Sequence, residues 1–512
     1  MAQTLAQEVT EAQLQEFDVV CVFGAADPAW MGRLAPWLKS HKERFLVFLE
    51  SNEQRFLQAK QSPLAEHLQV RLFCVSSSQE ELLKEIAWEF VFLRFLYLPS
   101  FPEERESSQE CFKLLEYYRR GVNLLASDSE DLGVRVLSNA LRNLENLPSS
   151  LLGMSLEGKC AGDVAFICGA GPSLNLSAPL LREVQDKALI FAAGSALRAL
   201  EIQGVTPHFG AALDPEPSYT RFLQQEGFEV PLFYQSRFSH KCLSQAHGPL
   251  LWMPSTGNHP LESYLAAECG IFSEPFDAGW TVANFCIALA AHLGCTTLIL
   301  VGMDWSCGPN EVYASGLSGK EHEGKLIALK QEGLYSRQDW LMSAEWTRVF
   351  MDKHPTISWK TASVRGAQLL GIEASSLEEI KNFLPSISED RKGKVHALIA
   401  QATPTAVKDF QVRELKKTVK KSFEKGLSLC DQLLAVWGKY HPRSPLEQPD
   451  YVLLEQDLEQ EICMRRVLIP LWATWRHSMT RVTTHPLGKQ LHRLLFFKQA
   501  IEAHLSYMQE GA

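Results

Sequence analysis

Asp163-Val-Ala-Phe-Ile-Cys-Gly169-Ala-Gly171-Pro172-Ser173-Leu174 reads as a short apolar strand that runs straight into a turn of small residues. Gly169 and Gly171 permit close approach of a ligand to the backbone, and Ser173 adds a hydroxyl donor. Such a turn presents bare N–H groups where a phosphate or a sugar can sit. The bland alternative is a tight strand-to-helix turn, and this stretch alone leaves both open. Pro179, two residues after Ser177, places the start of the next helix at PLLREVQ with Ser177 as its cap.

Outward from that turn, short apolar segments recur with helical stretches between them: 164–168, 188–193, 208–213, 230–235, 249–253, 297–302 and 357–362. This alternation predicts an α/β fold, a mostly parallel Rossmann-like central sheet with helices on both faces. Upstream, strands at 17–23, 45–50 and 70–75 predict a small α/β domain, whose first strand ends in Gly24-Ala-Ala-Asp27 and whose second ends in Glu50. Glu50 stands where a ribose-binding acid would fall, but a single glycine remains of the fingerprint, so a scaffold turn is the competing reading. From about 80 to 150 the pattern reads as helical. After about 376 no strand signal survives, and a helical C-terminal domain is expected. The expected domains are therefore 1–150, 151–375 and 376–512.

The chain has 512 residues, 46% of them hydrophobic and 21% charged, with a formal charge of −10. That balance argues against nucleic-acid binding, which needs a basic footprint. No secretory signal opens the sequence, and the charge-free stretch 278–303 is broken by Asn284, His292 and Gly294. A cytoplasmic protein with no membrane insertion is expected. Twelve scattered cysteines without a CxxC pair read as buried thiols, with no metal site. Lys416, Lys417, Lys420 and Lys421 read as a solvated helix face.

Open α/β sheets place ligands at the carboxyl ends of their strands, and four segments stand there. They are the 169–174 turn; Gly194-Ser195, where Ser195 either binds a ligand or caps a helix; Asp214-Pro215, where the carboxylate either meets a hydroxyl or metal or caps a turn; and Gly279-Trp-Thr281 with Asp304 beyond. Thr281 opens an apolar helix whose first N–H groups offer an anion site. His292 reads as a core or interface histidine.

Taken in order, GAGPSL (169–174), Asp214-Pro215, GWTVANFCIALAAHLG (279–294), TLILVGMDWS (297–306) and TASVRGAQLLGIE (361–373) resemble the MptE-like domain family. That family includes the motility-associated factor (Maf) glycosyltransferases and archaeal-type 6-hydroxymethylpterin diphosphokinases. The resemblance covers about 150–375, and the flanking regions look Maf-like. The same motifs are similar to bacterial sialyltransferases that use CMP-sialic acid. By that resemblance Gly169, Gly171, Pro172, Ser173 and Leu174 would contact the nucleotide, with Ser195, Asp214 and Thr281 assisting. Asp304 would shape the pocket floor, and Tyr313 would stand near the leaving phosphate. Maf proteins usually carry Thr-His-Ala where this chain has Val312-Tyr313-Ala314, which leaves His322 as the nearest replacement for a general base, with a surface-loop histidine as the favoured competing reading. Met303 and Trp305 also depart from the usual pattern. The later Thr-x-x-Gly-Ala-x-x-x-Gly element survives as Ser363, Gly366, Ala367 and Gly371.

The implied function is a glycosyltransferase moving a sugar, of the nonulosonate type, from a nucleotide-activated donor to an unknown acceptor without a required cofactor. The alternative is pyrophosphate transfer from ATP with Mg2+, held by Asp214 and Asp304. A third reading is a non-catalytic nucleotide-binding scaffold, motivated by the missing loop histidine.

Overall fold

The structure is a computed structural model describing residues 11–24, 29–75, 79–99, 105–217, 229–255, 260–309, 311–317, 326–331, 333–386, 389–440, 444–479 and 485–509. It divides into two compact units, residues 1–129 with 474–481, and residues 130–473 with 482–512.

The first unit holds four strands, β1 (Val19–Phe23), β2 (Phe45–Glu50), β3 (Val70–Cys74) and β4 (Phe95–Pro99), all parallel in the order β3-β2-β1-β4. The sequence reading took Phe95–Pro99 for part of an apolar helix. The helix instead ends at Glu89, and Phe92 turns the chain with φ +62°. A strand covered on both faces carries no alternation, so its run of apolar residues looks like a buried helix. Glu50 is 2% exposed and accepts from the backbone N–H of Asn52 at 2.8 Å, so it braces its own turn. Asp27 lies outside the described residues.

In the second unit the strands are β5 (Leu151–Leu152), β6 (Val164–Cys168), β7 (Leu189–Ala193), β8 (Phe209–Ala212), β9 (Leu232–Tyr234), β10 (Leu250–Trp252), β11 (Thr297–Val301) and β14 (Ser358–Thr361). They form one parallel sheet in the order β14-β11-β6-β7-β8-β9-β10-β5. Every segment expected from 164 to 362 is present. A short antiparallel hairpin, β12 (Ile327–Ala328) and β13 (Tyr335–Ser336), is added to them. The helices that matter below are α1 (Leu174–Glu183), α2 (Ser195–Ile202), α3 (Pro260–Glu268), α4 (Val282–His292), α5 (Gln338–Lys353), α6 (Val364–Leu370), α7 (Arg391–Gln401) and α8 (Asp409–Tyr440).

Two apolar layers cover the sheet. One joins Phe166, Ile190 and Tyr234 to α1, α2 and the C-terminal helices through Val419 and Phe423 of α8. The other joins Ile167, Phe191 and Phe233 to α4 through Phe285 and Leu289. Apart from residues 474–481, the helices after 376 thus belong to the same unit as the central sheet.

All twelve cysteines are unpaired, and all but Cys74 are buried. Among the described residues no helix is long and apolar enough to cross a membrane. His208 opens β8 at the opposite edge from the strand ends discussed below. Its Nδ1 accepts from Ile190 N–H at 3.0 Å, and burial lowers its pKa to about 4. His292, half-buried, packs edge-on against Phe276.

Candidate functional site

From β6 the chain steps one way through β7, β8, β9 and β10, then returns to place β11 on the other side of β6. The gap between the carboxyl ends of β6 and β11 is therefore a topological switch point, where open α/β sheets hold ligands. The 169–173 turn lies on one side of it and Gly302–Trp305 on the other.

The glycines are explained by how closely these two loops approach. A Cβ on Gly169 would stand 2.5 Å from the Gly302 carbonyl oxygen, and one on Gly171 would stand 2.7 Å from the same atom. Gly302 adopts φ +64°, a conformation L side chains rarely take. We expect Gly169→Ala to destabilise the protein by more than about 2 kcal/mol, since backbone rather than a flexible side chain must yield. A thermal melt checks this.

The donors expected to be bare are mostly committed within the fold. Gly169 N–H bonds Val301 O at 2.9 Å, Gly171 N–H bonds Gly302 O at 2.9 Å, and Leu174 N–H bonds Gly171 O at 3.0 Å. Leu174 and Pro172 are buried, with Leu174 in the core, so neither presents a side chain to a ligand. The helix begins directly at Leu174, with Pro179 inside it and Ser177 in its second turn, contrary to the start expected near 177. Turn-type bonds from Asn175 and Leu176 back to Pro172 and Ser173 begin the helix five residues before the expected Pro179. What remains is the Ser173 hydroxyl, buried with no hydrogen-bond partner among the described residues.

Asp304 is 3% exposed and holds the two loops together. Its Oδ2 accepts from Ser173 N–H at 2.9 Å, and its Oδ1 accepts from the Ser363 hydroxyl. Ser363 also caps α6 by accepting from Gly366 N–H at 3.1 Å. Gly366 lies directly against the Met303 carbonyl, and Gly371 closes the helix with φ +71°. The Ser363-Gly366-Ala367-Gly371 element thus has a physical task, to seat α6 under Asp304. Both carboxylate oxygens being engaged, Asp304 positions the turn.

Trp305 has φ +47° while 7% exposed, a strained conformation held from several sides. Its carbonyl accepts from Ser336 Oγ at 2.6 Å, and its indole N–H donates to Ser343 Oγ at 2.8 Å. Ser343 Oγ in turn meets Thr281 Oγ1 at 2.9 Å. Thr281 caps α4 in a reciprocal box with Asn284, whose side chain also bonds Ser343 O and Thr347 Oγ1. The Thr281 hydroxyl is therefore occupied as a cap instead of facing a ligand, because Asn284 supplies the matching half of the box.

The other expected residues fall at different points of this edge. Gly194 is the N-cap of α2 with φ +43°, its Cα facing Val282 of α4, and Ser195 is the first helical residue. Asp214 follows β8 and accepts from Glu216 N–H at 3.0 Å. Three strand spacings separate the ends of β8 and β11, about 14 Å, so Asp214 and Asp304 do not share one metal ion. The segment with Tyr313 lies against the glycine turn: Ala314 N–H donates to Ala170 O at 2.8 Å, and Asn175 bonds both the N–H and the hydroxyl of Ser315 at 3.0 Å. Tyr313 meets Trp340 edge-on at 6.5 Å. His322 lies outside the described residues.

Sequence reasoning missed a second polar group on the same edge. Gln235 and Arg237 follow β9, Ser255 follows β10, and Glu262 lies in the first turn of α3. The available signal was positional: Pro254-Ser255 follows an apolar strand just as Gly169 and Asp214 do.

Comparison with known proteins agrees with this geometry. Residues 138–309 match the family model of the 6-hydroxymethylpterin diphosphokinase MptE-like proteins. The structure of a Maf glycosyltransferase from Magnetospirillum magneticum AMB-1 is similar in fold, with a TM-score of 0.53 and 14% identity, over 96% of this chain and 79% of that one. Among curated protein sequences none matches. The family-model match spans β6 through β11 and so both sides of the switch point, and the fold is similar to that of a Maf glycosyltransferase.

Proposed function

We propose that this protein is a glycosyltransferase that binds a nucleotide-activated sugar, of the CMP-nonulosonate type, at the β6/β11 switch point and transfers the sugar to an acceptor hydroxyl. The observation that carries this reading is the buried Ser173–Asp304–Ser363 clamp, which fixes the glycine turn and leaves one donor, the Ser173 hydroxyl, without a partner among the described residues. A phosphate oxygen satisfies that donor. Tyr313, carried beside the turn by the Ala314–Ala170 bond, supplies a phenol for charge developing on the departing phosphate. The fold likeness extends over the flanks as well as the core, which favours the Maf side of the family.

The second reading, pyrophosphate transfer from ATP, is favoured by the family match over 138–309. It needs magnesium, and the carboxylates it would enlist do not fit, since both oxygens of Asp304 are engaged and Asp214 stands about 14 Å away.

A thermal-shift panel of CMP, UMP, ATP and GTP, with and without Mg2+, separates the readings. We expect CMP to stabilise the protein without Mg2+, by about 2.7 kcal/mol at a hundredfold excess over Kd. Ser173→Ala should weaken that binding about ten- to a hundredfold through loss of a hydrogen bond to a charged group. Stabilisation by ATP only with Mg2+ would transfer the assignment to the diphosphokinase reading, and no shift with any nucleotide would leave a scaffold.

A further inference from the structure

Two arginines stand beyond the carboxyl ends of β11 and β14, and one of them has no counter-charge. Arg365 is the second residue of α6, half-buried, and Nη1 of its guanidinium is buried without a hydrogen-bond partner among the described residues. Among those residues no carboxylate pairs with it. Asp304, which Ser363 ties to the start of this helix, has both oxygens engaged by Ser173 N–H and the Ser363 hydroxyl. Arg337 is the second cation. It caps α5, donates from Nε to Asp339 Oδ1 at 3.0 Å and from Nη2 to Asp339 Oδ2 at 2.8 Å, and lies over the Trp340 ring at 5.3 Å.

Cys307 brings the two together. Burial raises its thiol pKa, and the charges of Arg365 and Arg337 both oppose the rise. The cysteine is fixed just past Asp304, its N–H donating to Tyr335 O at 2.8 Å and its carbonyl accepting from Tyr335 N–H at 3.0 Å. From Arg337 the contacts run on to the glycine turn: Trp340 meets Tyr313 edge-on, and the next residue, Ala314, donates to Ala170 O at 2.8 Å. One carboxylate for two guanidinium groups leaves a net positive charge in partly desolvated surroundings, which disfavours the fold unless an anion completes it. The unpaired atoms agree in sense. Arg365 Nη1 and the buried side-chain nitrogen of Gln338, next to Arg337, only donate, and the Ser173 hydroxyl can donate. Their complement is a group that accepts, and a guanidinium fork matches the paired oxygens of a phosphate or a carboxylate.

We propose that Arg365, supported by Arg337, holds an anionic oxygen group of the ligand, a phosphate or a carboxylate. The proposal rests on the glycosyltransferase reading only for which group arrives, since CMP carries the first and a nonulosonate the second. Arg365 selects the ligand by charge. It takes no part as a proton carrier, because a guanidinium does not give up its proton in proteins.

The test uses the full chain with Arg365→Met, which keeps the apolar stem and removes the charge, and Arg365→Lys, which keeps the charge and removes the fork. Titration calorimetry at low salt reads cytidine, CMP, N-acetylneuraminic acid and CMP-N-acetylneuraminic acid. We expect R365M to bind an anionic ligand at least about tenfold more weakly and cytidine as wild type does, through loss of a charge-assisted hydrogen bond alone. R365K should fall between. A loss already complete with CMP assigns the phosphate, and a loss confined to the two sialic ligands assigns the carboxylate. Without ligand R365M should melt at or above wild type, because an unpaired charge adds nothing to the fold; a melt lowered by more than about 4 °C marks a structural arginine and overturns the proposal. Affinities of R365M for CMP and the CMP-sugar both within about threefold of wild type, less than one charged hydrogen bond is worth, overturn it too, as does an equal loss for cytidine. If wild type binds none of the four, the glycosyltransferase reading has failed and the anion site is judged alone. Inorganic phosphate should then raise the melt of wild type above that in chloride of equal ionic strength and leave R365M unmoved. No gain in wild type, or an equal gain in both proteins, rejects the site.

Discussion

Asp304→Ala should unseat the glycine turn, costing about 2–4 kcal/mol of stability and abolishing nucleotide stabilisation. Removing the carboxylate leaves two buried donors, the Ser173 N–H and the Ser363 hydroxyl, without acceptors, and each unsatisfied group costs about 1–3 kcal/mol. The damage is local to function because Ser173 N–H belongs to the residue whose free hydroxyl is proposed to meet the phosphate. Asp304→Asn should be milder. Its amide oxygen can still accept from Ser173 N–H, and the Ser363 hydroxyl can rotate to accept from the amide NH2. Thermal melts of the three proteins with and without CMP decide the matter: D304N falling as far as D304A would mean that charge, rather than hydrogen-bond geometry, holds the loop.

Arg391→Ala should cost about 3 kcal/mol while leaving the nucleotide site untouched. Arg391, 4% exposed, donates to Asp163 Oδ1 at 2.5 Å and to Lys187 O at 3.2 Å, and Lys394 donates to Asp163 Oδ2 at 2.6 Å. Breaking a buried ion pair by removing one partner costs about 3–5 kcal/mol, because the remaining charge stays buried. Lys394 keeps Asp163 partly neutralised, which places the expected loss at the lower end. Urea unfolding followed by tryptophan fluorescence measures it. Because Asp163 leads into β6 at the edge opposite the switch point, the ratio of CMP affinities between variant and wild type should stay near one.

Most of the central sheet was legible because its strands are buried on both faces and carry compact apolar runs bounded by glycine, proline or charge. The same property hid β4: the apolar run Phe90–Leu93 joins it to the helix ending at Glu89, and only the left-handed turn at Phe92 marks the break. β5 and the β12–β13 hairpin have two residues per strand, too short for any period to register. At the site, the 169–173 turn, Asp304 and the Ser363–Gly371 element were visible as small or charged residues placed just after strands. Their division of labour was not. Thr281 and Leu174 looked like ligand contacts, but one completes a helix cap with Asn284 and the other fills the core.

By itself the sequence determined the alternation of strands and helices in the central sheet, its parallel character and the glycine-bearing turn after β6. Those follow from local pattern and from the handedness of β-α-β connections, which depend on neighbouring residues. The tertiary structure alone decided which polar atoms are already spent. Asp304 meets Ser173 across 131 positions of chain and Ser363 across 59, and Arg391 meets Asp163 across 228. A hydrogen bond engages its acceptor whatever the distance along the chain, so whether a serine or carboxylate is free for a ligand becomes known only when the loops have closed on one another.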